Sequence, residues 1–199
     1  GDSAFEACSG LNSLTFPQSL TSIGAYCFNE CTGLTALELP NKLTALGESA
    51  FADCSNLSGL TLPPSLTTVG STAFFGTALA KPILVNNGRS LCYVPSSYTS
   101  YTIPATVKEI QGAFYECRGL TALTIPNGVT EIADYSFAEC SALTNITLPA
   151  SLTTLGQGAF YACSNLTSIT LPSGLLKVGT SAFAASGLKT PLFYNDGRT

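Results

Sequence analysis

The sequence predicts a repeat solenoid, a right-handed coil of short parallel strands joined by short helical turns. Three observations predict it. Phenylalanine recurs at one constant interval at Phe5, Phe28, Phe51 and Phe74, and at the same interval again at Phe114, Phe137, Phe160 and Phe183. Cysteine follows behind it at Cys8, Cys31, Cys54, Cys117, Cys140 and Cys163, with Thr77 and Ser186 closing each series in the same slot. Proline marks a third slot at Pro17, Pro40 and Pro63, then at Pro104, Pro126, Pro149 and Pro172. A fixed period of about 20 to 50 residues is the signature of stacked units that bury their apolar edges against one another. The step from Pro104 to Pro126 is shorter than the others, so one unit lacks a residue between Ile110 and Phe114.

Each element follows from the unit L-x-x-L-x-L-P-x-x-L-T-x-I-G-x-x-A-F-x-x-C-x-x. In "LTALELP" (34–40), apolar and polar residues alternate, which predicts a short strand with Leu37 and Leu39 inward. Pro40 cannot donate to a ladder and ends it. "KLTALG" (42–47) reads as a second extended stretch that gives Leu43 and Leu46 to the core, and Gly47 permits a sharp turn. Ala133 holds the same slot as Gly47, so a strict positive φ is not required there. In "ESAFADC" (48–54), Ala50, Phe51 and Cys54 stand at helical spacing, enough for about one turn. Stacked units then form ladders of Leu, Phe and Cys.

With this period, and with Pro, Gly, Ala-Phe and Cys in these slots, nearly the whole chain resembles the BspA-like leucine-rich repeat. The resemblance implies a leucine-rich-repeat solenoid. It also implies the family's setting, large surface proteins of host-associated bacteria and some protozoan parasites that attach to host matrix proteins or other cells. A cell-surface or extracellular location is expected on that ground alone.

A second periodicity lies above the first. "TALAKPILVNNGRS" (77–90) matches "SGLKTPLFYNDGRT" (186–199), position for position. The expected organisation is one solenoid domain over 1–199. It comprises a first array (1–81), a hairpin insertion (82–97), a second array (98–190) and the start of a second hairpin (191–199). The chain begins within a repeat and reads as a segment of a larger protein.

Composition narrows the function. The net charge is −4 with only 10% charged residues and the pI is near 4.6, which argues against nucleic acid as a partner. Mean hydropathy is +0.32, yet no apolar run approaches the ~18 residues of a membrane helix. There is no His, which removes the commonest general base and metal ligand. No Ser has a His partner and no Gly-rich loop precedes a helix with Lys, so an enzyme is not expected, nor a cofactor. The eight Cys are read as free, buried thiols, since Thr and Ser replace them and stacked Cβ vectors run parallel. Glu30, Asp53, Glu116 and Glu139 precede Cys and are read as a solvated rim. Stacked carboxylates there could hold Ca²⁺, but the dense Asp/Asn/Gly loop that calcium favours is missing. The sequons at Asn56, Asn145 and Asn165 arise easily in a Thr-rich repeat.

The candidate contact residues are what the core leaves over. An exposed strand column of Thr is interrupted by Glu38, and the column beside it varies and includes Asn145. "VNNGRS" reads as a hairpin turn presenting Asn87 and Arg89, with Tyr93 nearby at the surface. Tyr98 and Tyr101 occupy Leu slots and are expected in the core. The expected function is non-catalytic binding of a protein partner through these positions. A passive spacer presenting another domain and a carbohydrate-binding Thr face are the alternatives. An ice-binding array is disfavoured by the varied second column.

Overall fold

A computed structural model describes residues 1–189. The chain divides into two compact units, Gly1–Tyr93 and the residues from Val94 onward. In the first unit the strands are β1 (Ser22–Ile23), β2 (Ala36–Glu38), β3 (Ala45–Leu46), β4 (Gly59–Thr61), β5 (Thr68–Val69), β6 (Ile83–Val85) and β7 (Ser90–Tyr93). In the second they are β8 (Glu109–Ile110), β9 (Ala122–Thr124), β10 (Glu131–Ile132), β11 (Asn145–Thr147), β12 (Thr154–Leu155) and β13 (Lys177–Val178). This is the predicted leucine-rich-repeat solenoid, with strands paired at the repeat spacing.

The strands form two parallel ladders, and the central coils of each unit lend one strand to both. Leu37 pairs with Leu60 and Glu38 with Thr61 on one side of the first unit, while Leu46 pairs with Val69 on the other. The second unit repeats this with Ile146 opposite Leu123 and Leu155 opposite Ile132. Side chains alternate across a strand, so the central residue faces in and its neighbours face out. Leu37, Leu123 and Ile146 are accordingly buried between exposed flanks. Inside, phenylalanine rings stack from coil to coil. Phe28 and Phe51 lie 5.3 Å apart and Phe137 and Phe160 lie 5.2 Å apart, nearly parallel.

The turn around each Phe is where the structure departs from the expectation. No helix forms among the described residues. Instead, alternate N–H groups reach across to the following coil: Tyr26 donates to the Glu48 carbonyl, Phe28 to Ala50 and Glu30 to Ala52, at 2.8–2.9 Å. The intervening groups close tight local turns, Asn29 to Tyr26 and Cys31 to Phe28. A single helical turn is costly to nucleate and would satisfy few donors. Cross-coil bonds satisfy them around Phe5, Phe28, Phe51, Phe114, Phe137 and Phe160. Aiming alternate donors outward sets two residues per coil into left-handed backbone, such as Tyr26 (φ 55°) and Glu30 (φ 59°), or Glu139 (φ 59°) and Ala162 (φ 55°) in other coils.

Close stacking also explains the glycine slot. A Cβ on Gly47 would lie 2.4 Å from the Ala25 nitrogen, and one on Gly156 would lie 2.4 Å from that of Asp134. The requirement is space, not a positive φ. Ala133 is tolerated in this slot because it stacks on the shortened coil, which lacks the corresponding residue between Ile110 and Phe114. The same deletion is repaired by a buried hydroxyl. Ser136 stands where other coils carry Ala, such as Ala50 and Ala159. Its Oγ accepts from the Gly112 N–H at 3.1 Å and faces the Ile110 and Ala133 carbonyls at 2.9 and 2.8 Å.

Ser136→Ala leaves the buried Gly112 donor without its acceptor and is expected to cost about 1–3 kcal/mol. A urea unfolding curve reads this as a lower midpoint at unchanged slope. Ala162→Gly separates the two accounts of the turn. In a helix it costs about 1 kcal/mol; at a left-handed position it is neutral or stabilises by up to about 1 kcal/mol. A loss measured in the same assay contradicts the turn geometry.

Candidate functional site

The exposed strand flanks form two columns in each unit. In the first unit Ala36 and Glu38 are exposed, and the register sets Glu38 beside Thr61. In the second unit Ala122 and Thr124 stand beside Asn145 and Thr147, all four exposed. Here the face is indented. A depression of about 650 Å³ is lined by Ser100, Tyr101, Thr102, Thr124, Asn145 and Thr147 among others. A neighbouring one of about 460 Å³ continues past Asn145 and Thr147 to Ser168 and Thr170. Asn145 and Thr147 therefore border both. The lining is hydroxyl, amide and small apolar groups, with no charged side chain.

The predicted hairpin forms from β6 and β7, antiparallel, with Val85 opposite Ser90 and an irregularity between Ile83 and Leu84. Three successive turn residues, Asn86 (φ 53°), Asn87 (φ 55°) and Gly88 (φ 77°), are left-handed. Asn tolerates that region better than most residues, and Gly enters it freely. Asn87 and Arg89 are exposed at this tip. Tyr93 is not a surface residue: it is 8% exposed, its hydroxyl donates to the Leu79 carbonyl at 3.2 Å, and its ring meets Phe74 edge-on at 6.5 Å. It completes the stack of rings above Phe74, a packing demand that outweighs the turn's polarity. Tyr101 lies 6.0 Å from Phe114 and is only half-buried, so its edge also lines the depression. Thus Asn87 and Arg89 share one turn, Glu38 stands on the β2–β4 sheet, and Asn145 belongs to the second unit. The start of the second hairpin (191–199) lies outside the described residues.

Sequence reasoning missed the depression, because it arises from how coils stack. It also missed a groove of about 440 Å³ beside β4, where Leu60, Leu62, Leu79 and Ile83 meet Ser58 and Lys81.

The cysteines are free thiols, buried except for Cys8. Each buried thiol of the repeat faces a backbone carbonyl of the preceding coil, Cys54 that of Phe28 at 3.1 Å and Cys163 that of Phe137 at 3.0 Å. Burial pushes the thiols of Cys54, Cys117 and Cys163 up to about 12. The acids before the cysteines occupy left-handed turn positions. Arg118 pairs with Glu116 at 3.1 Å and Glu139 at 2.5 Å. Loss of hydration and the neighbouring Glu30 raise the Asp53 carboxyl above its usual range. Among the described residues no three His, Cys, Asp or Glu side chains converge as metal ligands. Nor, among them, is any helix long and apolar enough to cross a membrane.

Stacked coils with one ladder each of leucine, phenylalanine and cysteine define a leucine-rich-repeat solenoid. The chain belongs to the BspA type leucine rich repeat family, whose repeat matches residues 1–91 and 88–197 in six copies. Three solved structures show the same fold. A leucine rich cell surface protein from Faecalibacterium prausnitzii A2-165 is 26% identical with a TM-score of 0.61, covering 92% of this chain and 60% of that one. The pneumococcal vaccine antigen PcpA is 26% identical at 0.58, covering 80% and 50%. A leucine-rich repeat protein from Bacteroides ovatus ATCC 8483 is 25% identical at 0.53, covering 93% and 55%. This chain spans between half and three fifths of the length of these proteins. No curated protein matches it significantly.

Labelling needs access to solvent, so Cys8 alone is expected to label in the native chain at neutral pH, and all eight Cys in denaturant. The raised thiols also set a pH dependence. The folded state keeps protons that the unfolded state releases between the ordinary thiol value of 9.0 and about 12. Their contribution is therefore complete below pH 9. Above it, stability falls by up to about 1.4 kcal/mol per pH unit for each such thiol. Unfolding curves on either side of pH 9 test the sign.

Proposed function

We propose that this chain is a non-catalytic binding module displayed at a cell surface, where it contacts a protein partner. The observation that supports it most directly is the division of labour along the repeat. Leu, Phe and Cys slots are consumed by the core, and Gly slots by close stacking. Variation is left to the exposed strand columns and the hairpin tip. Solenoids present extended surfaces of this kind to partners. The cell-surface setting is supported by the description of the F. prausnitzii protein and by family membership. Glu38, Asn145, Asn87 and Arg89 are the contact residues we assign to that surface; Tyr93 is withdrawn.

One observation favours a second reading. The uncharged, hydroxyl- and amide-lined depression over β9 and β11 suits a neutral glycan, with Tyr101 supplying a ring edge.

The test is capture of a partner from host matrix and surface proteins. Three variants are then compared: Glu38→Thr, Asn145→Thr and a Gly-Ser turn replacing 86–89. Weaker binding by at least one variant with an unchanged melting curve is expected, with slight salt dependence because so few charges are present. If all three bind as the parent does, the contact surface is misassigned. If only glycans bind, the second reading replaces the first.

A further inference from the structure

The hairpin tip carries chemistry that the repeat does not. We propose that Asn87 is a site of spontaneous deamidation, which converts Asn87–Gly88–Arg89 into an aspartyl or isoaspartyl form and adds a carboxylate two positions from Arg89. In the reaction the Gly88 backbone nitrogen attacks Asn87 Cγ and gives up its proton to water. The Cγ–Nδ2 bond breaks and ammonia leaves, forming a five-membered succinimide. Water then opens the ring. Attack at Cγ gives Asp; attack at the main-chain carbonyl gives isoaspartate, with one more methylene in the backbone.

Three observations place this reaction at Asn87. Gly88 has no side chain to shield its nitrogen, and Asn87 is exposed to water. Two of the bonds that must open lie within the tip: Gly88 N–H donates to the Val85 carbonyl at 3.1 Å and Arg89 N–H to that of Asn86 at 3.1 Å. Tip openings of this kind cost far less than global unfolding. The chain's other Asn-Gly pair, Asn127–Gly128, is held differently. The Gly128 nitrogen donates to Ser151 Oγ of the following coil at 3.0 Å. On the other side a Cβ there would meet Lys108 Nζ at 2.5 Å. The Gly128 nitrogen is thus held by a side chain of another coil, whereas that of Gly88 is held within its own turn.

The sequence adds a further argument. In the second copy of the segment, Asn87 corresponds to Asp196, within Asp196–Gly197–Arg198. The aspartyl product at the first tip is thus the residue that the second copy encodes directly. The two copies converge chemically as the protein ages, and each conversion makes the chain one charge more negative.

The experiment holds the purified chain in mildly alkaline buffer at body temperature. Samples taken over days are digested under acid conditions and mapped by mass spectrometry. Isoaspartate is counted by enzymatic methyl transfer. Amide loss at Asn87 is expected to run several-fold faster than at Asn127. Asn87→Gln should remove the isoaspartate signal and lower the melting temperature only slightly, since Gln suits the left-handed turn position less well than Asn. Equal rates at the two pairs overturn the proposal. It is also overturned if Asn87 stays intact in the native chain while it converts in urea, since the turn bonds would then protect it.

Discussion

The stacking of coils depends on one constraint: alternate backbone N–H groups in the turn around a Phe bond to carbonyls of the next coil. The Tyr26, Phe28 and Glu30 donors meet Glu48, Ala50 and Ala52. That ladder holds coils close and leaves room for only certain side chains. It admits Gly where backbone meets backbone, as at Gly47. It admits Ala or Cys before the Phe, and a small thiol behind it facing a carbonyl. It also imposes left-handed backbone on residues that do not favour it, at a local cost of about 1–2 kcal/mol each. The repeat tolerates that cost because the alternative is buried donors without partners, which is worse.

The shortened coil shows how strictly the ladder is kept. Loss of one residue between Ile110 and Phe114 removes backbone and opens space. Two substitutions answer it: Ala133 adds a Cβ in the slot that is otherwise Gly, and Ser136 adds a hydroxyl that takes over the Gly112 donor. The array absorbs an irregularity by local repair, as expected of a structure whose units interact mainly with their neighbours.

The same economy shapes the surface. Polar character comes from hydroxyls and amides more than from charge, and several exposed Thr hydroxyls return to carbonyls of the preceding coil, as Thr44 does to Thr21 and Thr153 to Thr130. Such a face offers shape and hydrogen-bonding groups more than charge. Where charges do meet, as at Glu116, Arg118 and Glu139, they pair with one another on the turn side. An exposed pair of that kind contributes about 0–1 kcal/mol.

By itself the sequence determined the coil: its period, the inward Leu, Phe and Cys, the strand that Pro ends, the hairpin at "VNNGRS" and the free thiols. Those features are local or strictly periodic, so spacing encodes them. Only the tertiary structure decided the turn around Phe, the place of Tyr93 and the depression beside Tyr101. At helical spacing, Ala50, Phe51 and Cys54 suit a helix and a left-handed turn equally well; the choice falls to bonds with the neighbouring coil, a full repeat away in sequence. Tyr93 looks like a surface residue until the end of the Phe stack at Phe74 supplies a partner for its ring. Glu38 and Asn145 were legible as exposed because a strand alternates faces. The hollow that Asn145 borders was not, because its shape belongs to the gap between stacked coils and to no single one of them.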